Sequence, residues 1–317
     1  CYDRGGTDPT VTDAALRLGY LNPEYFLGGE MSLDGAAAEA ALESVADRLG
    51  MGTLELADGI VEIVTTDMTR GIRLVTVENG YDPRSFALTC FGGAGPLFAT
   101  QLADELDIER TIVPRAPGVL STFGLVTADR RFDFSASKPF VLDPSNASDV
   151  AAVYGELESR ARDVVGDDAT VRRRADVRYL GQTFKLTVEV PDGAVDGDAV
   201  AAVRDRFLDR YETIYGHVSE TDPVEAVTWR LEAVDGTPSI DLGAPAPATT
   251  VDDAVKGRRD AYAGDAFVEH TVYDRSKLPV GEEVAGPAIV EEPESTTLVG
   301  PDATFHVDAV GNLLVER

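Results

Sequence analysis

The chain has 317 residues, enough to bury a substantial core and to form two domains. Aspartate and glutamate number 56 against 28 lysines and arginines, so the formal charge is −28 and nucleic acid is excluded as a partner. The two cysteines, Cys1 and Cys90, lie far apart in sequence, which argues against a disulfide framework and a zinc site.

The acidic residues are spread along the chain, and only four of the 28 basic residues are lysines. This acidic surface is typical of a halophilic protein, because molar salt shortens the Debye length to about 3 Å and damps self-repulsion. We expect a cytoplasmic protein that does not contact membranes, since no long apolar segment or signal-peptide pattern is present. The sequence opens on a glycine-rich turn without an initiator methionine, so we expect a fragment of a longer protein.

Helices dominate the first predicted elements. Hydroxyl and carboxylate groups precede an apolar stretch in residues 9–16, where Asp13 is predicted to cap a helix. Apolar residues at helical spacing predict helices over residues 32–50 and 54–79. The second of these helices is expected to pack on a sheet.

The tetrad Gly92-Gly93-Ala94-Gly95 lies between a β-rich run, residues 85–91, and a helical pattern over residues 96–106. Such a strand-turn-helix segment can cradle a nucleotide, because glycines let the backbone approach a ligand and the first helical amides face an anion. A tight turn also needs glycine for geometric reasons, so both interpretations stay open. Phe98 occupies the third glycine position of a dinucleotide fingerprint, and no Gly-Lys-Ser/Thr follows as in a P-loop.

Further strands and helices alternate after this turn, which predicts α/β architecture. A cluster of turn formers at residues 142–148 predicts a boundary between two domains, 1–142 and 143–317. Beyond it the sequence predicts mixed elements, then a linker, then an all-β remainder. The predicted elements after the glycine turn are a strand at 111–113, helices at 117–125, 149–165 and 198–215, a hairpin of 175–179 with 183–190, a strand at 226–233, and the linker at 243–250.

Isolated reactive side chains favour structural roles. Cys90 follows apolar residues and has no basic neighbour, so we expect a core residue rather than a nucleophile. The three histidines, at positions 217, 270 and 306, have no metal-ligand spacing, and no metal site is predicted. His217 is expected to form a structural hydrogen bond at a helix end, and Arg230 and Arg275 are expected to form ion pairs.

Seven short motifs occur in order along the chain. They are Pro9-Thr10-Val11-Thr12-Asp13-Ala14, Phe91-Gly92-Gly93-Ala94-Gly95-Pro96-Leu97, Val119-Leu120-Ser121-Thr122-Phe123-Gly124-Leu125, Val177-Arg178-Tyr179-Leu180-Gly181-Gln182, Tyr215-Gly216-His217, Val272-Tyr273-Asp274-Arg275 and Gly286-Pro287-Ala288-Ile289-Val290-Glu291. Together they closely resemble the C-terminal half of the hydantoinase A / 5-oxoprolinase family, which includes N-methylhydantoinase A and acetone carboxylase β subunits. The resemblance covers essentially the whole chain.

This resemblance implies a fold and an activity. The fold would be part of an actin/hexokinase/Hsp70-like α/β ATPase domain over residues 1–142, followed by a β-rich α+β C-terminal domain over residues 143–317. The activity would be ATP-driven opening of cyclic amides such as 5-oxoproline or hydantoins, with ATP and Mg²⁺ as cofactors. Phosphoryl transfer to the ring carbonyl oxygen would turn a poor electrophile into a reactive one.

The resemblance also implies site residues. Gly92, Gly93, Ala94 and Gly95 would contact the adenosine side of the nucleotide. Thr12 and Asp13 would approach the phosphates, the metal or the substrate, as the catalytic candidates.

The chain departs from the family in two places. The Asp-x-Gly-Gly-Thr phosphate loops that the family carries upstream do not occur in residues 1–317, so the chain alone is expected to be inactive and to need the missing N-terminal half. Phe98 stands where the family often has histidine in a Gly-Gly-Ala-Gly-Pro-x-His-Ala pattern. Either this replacement alters activity, or Phe98 packs in the core, which is the favoured interpretation.

Two functional hypotheses follow. The leading one is the C-terminal portion of an ATP-dependent cyclic-amide hydrolase, with a small cyclic amide as substrate. The alternative is a non-catalytic assembly subunit that docks a hydantoinase B-like partner, or a carboxylase β-type subunit. In both cases we expect an oligomeric assembly.

Overall fold

A computed structural model of the chain describes residues 1–167, 169–219, 221–236 and 250–317. It divides into two compact units, one of Cys1–Val126 with Asp241–Arg317 and the other of Thr127–Ile240. The helices are α1 Val11–Arg17, α2 Gly35–Leu49, α3 Thr53–Val75, α4 Ala99–Leu106, α5 Leu120–Thr127, α6 Ala147–Val165 and α7 Gly197–Tyr215. The strands are β1 Leu88–Thr89, β2 Arg110–Val113, β3 Arg130–Ala136, β4 Phe140–Val141, β5 Thr170–Tyr179, β6 Leu186–Glu189, β7 Val224–Asp235, β8 Val255–Ala263, β9 Ala266–Asp274, β10 Val284–Ala285, β11 Ala288–Glu291, β12 Thr296–Val299, β13 Thr304–Val307 and β14 Leu313–Glu316.

Local signals explain where the first helices begin and end. The Asp34 carboxylate accepts a hydrogen bond from the Ala37 N–H at 2.9 Å at the start of α2, and Gly50 ends α2 in the left-handed conformation. The helix predicted over residues 54–79 is present as α3, but it ends at Val75 and is followed by a separate 3₁₀ turn, Val77–Asn79. The helix signals in the sequence are therefore confirmed, with one break near the end of α3.

The predicted strand-turn-helix segment is present in the first unit. Strand β1 leads into the glycine turn, a 3₁₀ turn at Gly95–Phe98 and then α4, and the chain returns as β2 parallel to β1. The strand is shorter than the predicted run of residues 85–91, since only Leu88 and Thr89 pair. This β-α-β arrangement confirms the α/β prediction for this part of the chain.

Two sheets form the rest of the first unit. One has the order β1-β2-β14-β13-β10, and the other has the order β12-β11-β9-β8. Strand β14 lies antiparallel between β2 and β13, so Leu313 pairs with Val113 on one side and with Val307 on the other. The segment from residue 250 onward therefore completes the sheet that carries the glycine turn.

Side-chain alternation places the four-stranded sheet in the middle of this unit. In β11, Ile289 packs with residues of α1, α2 and α3, whereas Val290 packs with residues of the five-stranded sheet. In β12, Leu298 and Val299 alternate in the same way. Because successive strand residues point to opposite faces, the unit has a helical layer, a central sheet and an outer sheet.

The second unit is an antiparallel sheet covered by two helices. Its strand order is β3-β7-β5-β6, with β4 also paired to β7, and α6 and α7 supply core residues against it. Trp229 of β7 is fully buried and donates its indole N–H to the Lys138 carbonyl at 2.8 Å. The predicted hairpin is confirmed as β5 with β6, and Arg230 forms its predicted ion pair, with Asp176, at 2.7 Å.

The compact units divide the chain differently from the predicted domains 1–142 and 143–317. Strands β8 to β14 were expected to continue a separate C-terminal domain, but they lie in the first compact unit, where β14 pairs with β2. The predicted linker at residues 243–250 lies, apart from Thr250, outside the described residues. Within the described ranges, no helix is long and apolar enough to span a membrane.

Candidate functional site

A cleft of about 340 Å³ in the first unit brings together three segments, of which the sequence analysis singled out the first two. They are the start of α1, the glycine turn and the segment that joins β11 to β12. Its apolar wall comes from Val11, Ala15, Leu21, Phe26, Leu97 and Phe98. Its polar lining comes from Tyr2, Thr12, Tyr25, Glu292, Glu294, Ser295 and Thr296.

The predicted nucleotide-binding residues are split between the cleft and the turn. Gly93 and Ala94 line the cleft, and a Cβ atom on Gly93 would lie 3.5 Å from the Glu294 carbonyl oxygen. Gly92 has φ +84° and donates its N–H to the Pro117 carbonyl at 2.8 Å, while Gly95 begins the 3₁₀ turn. Gly92 and Gly95 therefore shape the turn, and Gly93 and Ala94 face the cleft.

Thr12 and Asp13 have different environments although they are neighbours. Thr12 lines the cleft, with its hydroxyl 2.9 Å from the Tyr2 hydroxyl. Asp13 is only 1% exposed, and its carboxylate accepts hydrogen bonds from the Thr10 N–H and hydroxyl at 2.7 Å each. Burial raises the pKa of Asp13, and the hydrogen bonds from Thr10 act in the opposite direction.

The hydrogen bonds of Asp13 form a capping box at the start of α1, with Thr10 as the N-cap. The cap therefore involves both residues, and Asp13 contributes from the third helical position rather than from the N-cap. The cleft lining includes Thr12 and does not include Asp13. Of the two catalytic candidates, the structure brings only Thr12 to the cleft.

Glu292 is a functional candidate that the sequence interpretation did not single out. Its side chain is 8% exposed, and Oε1 accepts hydrogen bonds from Arg275 Nη1 at 2.9 Å and from the Ser295 hydroxyl at 3.4 Å. Burial raises the pKa of Glu292 to about 7, against the opposing effect of Arg275. A carboxyl group with a pKa near 7 that faces a cleft is typical of functional sites.

Arg275 is held by the backbone as well as by Glu292. Its side chain is 6% exposed, and Nη2 donates to the carbonyls of Val113 and Gly311 at 2.9 Å each. Burial lowers the pKa of this guanidinium, although Glu292 opposes the shift. The predicted ion pair of Arg275 is confirmed, and it fixes Glu292 at the end of β11.

The segment that carries Glu292 and Glu294 packs closely on the loop before α5. A Cβ atom on Gly118 would lie 2.4 Å from the Glu294 Cβ and 2.9 Å from the Glu294 carbonyl oxygen. A neighbouring cleft of about 270 Å³ shares Tyr25, Glu292, Pro293 and Glu294 with the first and adds Arg115 and Arg275 to its lining. The acidic segment therefore borders two adjacent spaces.

Tyr25, which lines both clefts, is positioned by a charged network. The Lys256 ammonium lies 3.1 Å from the centroid of the Tyr25 ring and contacts the Glu291 carboxylate. Arg259 bonds the same carboxylate at 2.9 Å and donates to the Gly19 carbonyl at 2.9 Å. This network ties the loop after α1 to β8 and β11, so the cleft walls are linked to the central sheet.

Other predicted residues have the environments expected of structural groups. Phe98 is 2% exposed and packs in the helical core, although its edge also lines the cleft. Cys90 is buried, which raises the pKa of its thiol to about 12 and leaves it a poor nucleophile. The His217 ring nitrogen Nδ1 lies 3.1 Å from the Tyr215 carbonyl, as expected of a structural hydrogen bond. In the part of the chain that the structure describes, no group of three or more histidine, cysteine or acidic residues is placed to hold a metal ion.

The lining of the 340 Å³ cleft suits the ring portion of a ligand better than its phosphates. Among the described residues that line it, Glu292 and Glu294 are the charged ones, and both are acidic. The apolar wall and the small residues Gly93 and Ala94 fit a nucleoside or another small ring. The described residues that line this cleft include no basic side chain to offset the charge of a triphosphate.

Sequence comparison identifies the family to which this mixed α/β protein belongs. The profile described as Hydantoinase/oxoprolinase matches residues 1–134, and the profile described as Hydantoinase/oxoprolinase C-terminal domain matches residues 145–312. The chain belongs to the hydantoinase/oxoprolinase family, which confirms the resemblance seen in its motifs.

Individual relatives match over the whole chain. An uncharacterised protein of Methanocaldococcus jannaschii is 34% identical over 100% of this chain and 46% of its own length. Caprolactamase subunit alpha of Pseudomonas jessenii is 32% identical over 97% of this chain and 46% of its own length. A nucleotide-free structure from work on ATP-dependent acetone carboxylation by acetone carboxylase has a TM-score of 0.87 and 25% identity over 100% of this chain and 48% of that one. The chain thus spans about half the length of the curated relatives that it matches.

Proposed function

We propose that this chain is the C-terminal portion of an ATP-dependent enzyme that opens a cyclic amide of the 5-oxoproline, hydantoin or lactam type. The observation that carries the proposal is the single cleft where Thr12, the Gly93-Ala94 turn and the buried Glu292 meet. The sequence similarity of this chain to caprolactamase subunit alpha, a protein named for a lactam, supports a cyclic amide as the substrate.

We further propose that the fold is part of an actin/hexokinase/Hsp70-like ATPase domain and that ATP and Mg²⁺ are its cofactors. The β1-α4-β2 unit with its glycine turn supports a nucleoside-binding role, and Gly93 and Ala94 would lie against the adenosine. The likeness to acetone carboxylase, described as acting in an ATP-dependent reaction, points the same way. Because the cleft lining does not suit phosphates, we assign their binding to an N-terminal half that completes the enzyme.

The residues of this chain would have separate tasks in that reaction. The apolar wall would exclude water from the ring, and the Tyr2–Thr12 pair would orient its polar edge. Glu292 would hold or release a proton at its carboxyl near neutral pH. Asp13 would stabilise the start of α1 and so the position of Thr12.

The test is ring opening by the complete assembly. The chain is combined with its proposed N-terminal half at molar KCl, and open-chain product is measured by NMR with caprolactam, hydantoin or 5-oxoproline, with and without Mg-ATP. We expect product only with ATP and both halves, and we expect Gly93→Val to lower nucleotide affinity because its side chain enters the cleft. Gly59→Ala on α3, where an added Cβ meets no atom within 4 Å, is the control. An assembly that opens no cyclic amide with ATP would refute the proposal.

A non-catalytic assembly subunit is the second candidate. The commitment of Asp13 to a helix cap and the burial of Phe98 at the histidine position favour it. Such a subunit would dock a hydantoinase B-like or carboxylase partner in a cytoplasmic oligomer. It would keep partner binding in the Gly93→Val variant and show no nucleotide affinity in the wild type, which distinguishes it from the enzyme.

A further inference from the structure

Strand β3 lies at one edge of the sheet in the second unit. Its residues, Arg130–Ala136, pair with β7 in one continuous antiparallel register. Among the described residues, no strand pairs with the other side of β3. A regular strand edge of this kind presents a row of backbone N–H and C=O groups to another chain.

The opposite edge of the same sheet, β6, is protected. Arg210 donates to the Thr187 carbonyl at 2.9 Å and Arg206 donates to the Glu189 carbonyl at 3.0 Å, so side chains of α7 occupy two carbonyls of β6. In the described part of the chain, no side chain bonds a carbonyl of β3 in this way, and β3 contains no proline or bulge. The sheet therefore has one protected edge and one open edge.

The two faces of β3 differ in chemistry. On the inner face, Phe134 packs with the core, and the Arg160 guanidinium lies 5.7 Å from the centroid of its ring. On the outer face, Arg131 and Asp133 bond each other at 3.0 Å, and 51% and 67% of their side chains are exposed. Arg131 also bonds Glu232 of β7 at 2.9 Å. Both outer charges are therefore held beside the open edge and remain accessible to another chain.

The order of these charges favours one way of pairing β3 with a second copy of itself. An antiparallel pair about a two-fold axis places residues of the same face opposite each other, so the axis passes through one residue position. Centred on Arg131 or on Asp133, the pair would bring like charges together. Centred on Phe132, it places Arg131 opposite Asp133 of the second copy, twice by symmetry, and the two Phe132 side chains side by side. A centre at Phe134 would leave Arg131 opposite no acidic residue.

We infer that the open edge of β3 is a dimer interface, where the β3 strands of two copies of this chain pair antiparallel about Phe132. Backbone hydrogen bonds supply the affinity, and the contacts between Arg131 and Asp133 select the register. A second copy is the occupant because this one strand carries both members of each charge pair. The inference goes beyond the proposed function and does not depend on it, since it uses only residues of the second unit.

The first test is the self-association of the 317-residue chain, measured by sedimentation equilibrium from roughly 1 to 100 µM. The solution contains about 0.5 M KCl, where a Debye length of about 4 Å screens the repulsion between two chains of charge −28 but not charges in contact. We expect an equilibrium between monomer and dimer. A chain that stays monomeric throughout this range overturns the inference.

A charge exchange tests the register, with the fold of each variant first checked by circular dichroism. Asp133→Arg makes both outer charges positive, and Arg131→Asp makes both negative while Arg174, 3.4 Å from Glu232, still balances that carboxylate. Each variant alone should dimerise at least about tenfold more weakly than the wild type. Mixed in equal amounts, they should pair with each other, because every contact again joins opposite charges. Asp205→Arg on α7, whose side chain is similarly exposed, is the control and should dimerise like the wild type. An unchanged dimer in Asp133→Arg overturns the inference.

A cysteine pair gives a second measurement that does not depend on charge. In a Cys1→Ser background, where the remaining cysteine is the buried Cys90, Phe132→Cys places two thiols opposite each other across the two-fold axis. The thiol oxidant diamide should then link two chains through a disulfide. Ser135→Cys is the control, because its counterpart in the second copy would lie about 20 Å away along the strands. Equal cross-linking of the two variants overturns the assigned register.

Discussion

At the scale of single residues, Glu292 shows how burial can change the chemistry of an ordinary side chain. Its folded-state pKa is raised from 4.5 to about 7 by burial, although Arg275 lies beside it. A raised carboxyl pKa means that the folded protein holds a proton that the unfolded chain has already released. The stabilising effect of this proton is fully present below pH 4.5 and is lost as the pH rises to about 7.

This linkage gives a measurable pH dependence. Between pH 5.5 and pH 7, the free energy of unfolding of the wild type should fall by about 2 kcal/mol relative to Glu292→Gln, which keeps an oxygen acceptor for Arg275 but cannot titrate. Urea unfolding of both proteins at several pH values measures the difference, and this range stays above the sequence pI of 4.3. Glu283→Gln, at an exposed position outside the cleft lining, serves as the charge-matched control. Parallel curves for wild type and Glu292→Gln would contradict the assigned pKa.

The environment of a side chain could be predicted from the sequence only where its hydrogen-bond partner is close along the chain. Asp13 was correctly placed at a helix start because Thr10, its main partner, is three residues away. Glu292 gave no such signal, since its neighbours in space include Arg275, Val113 and Gly311 from separate segments. The acidic run Glu291-Glu292-Pro293-Glu294 at the end of the buried strand β11 was the one available hint.

At the scale of elements, the contact between Gly118 and Glu294 decides how closely the acidic segment approaches the loop before α5. A methyl group on Gly118 would overlap the Glu294 Cβ and backbone, so the segment must move. We expect Gly118→Ala to lower stability by roughly 1–3 kcal/mol and to weaken nucleotide binding. Thermal unfolding and the amide NMR shift of Gly93 on adding nucleotide would measure the two effects.

Gly59→Ala is the matched control for this substitution. Gly59 lies inside α3, and its added Cβ would meet no atom within 4 Å. Alanine favours a helix over glycine, so this variant should gain up to about 1 kcal/mol. Equal losses in both variants would show that close packing at Gly118 is not the cause.

Helices and strands could be predicted where the residues that cap or terminate them are close in sequence. The bounds of α2 follow from Asp34 and Gly50, and the end of α7 follows from the left-handed Gly216. Strand β1 was overestimated, because apolar content alone does not show which residues find a pairing partner. The pairing of β14 with β2 joins residues about 200 positions apart, and no local pattern encodes it.

At the scale of the whole molecule, the charge of −28 is the dominant property. Repulsion among the carboxylates opposes compactness in dilute buffer, and salt screens it. We expect the unfolding temperature to rise steadily from 0.1 M to 2 M KCl, measured by calorimetry. An unfolding temperature that does not respond to KCl would contradict adaptation to high salt.

The central position of β14 also affects how the protein is made. Arg110 and Glu316 bond across β2 and β14 at 2.9 Å, although 206 residues separate them. At a synthesis rate of roughly 5–20 residues per second, β2 leaves the ribosome about 10–40 s before its partner exists. Throughout that interval the strand beside the glycine turn has an open edge, which is where nascent chains aggregate. The candidate cleft, whose lining includes residues 292–296, also forms late in translation, and the nascent chain must stay protected until β14 has emerged.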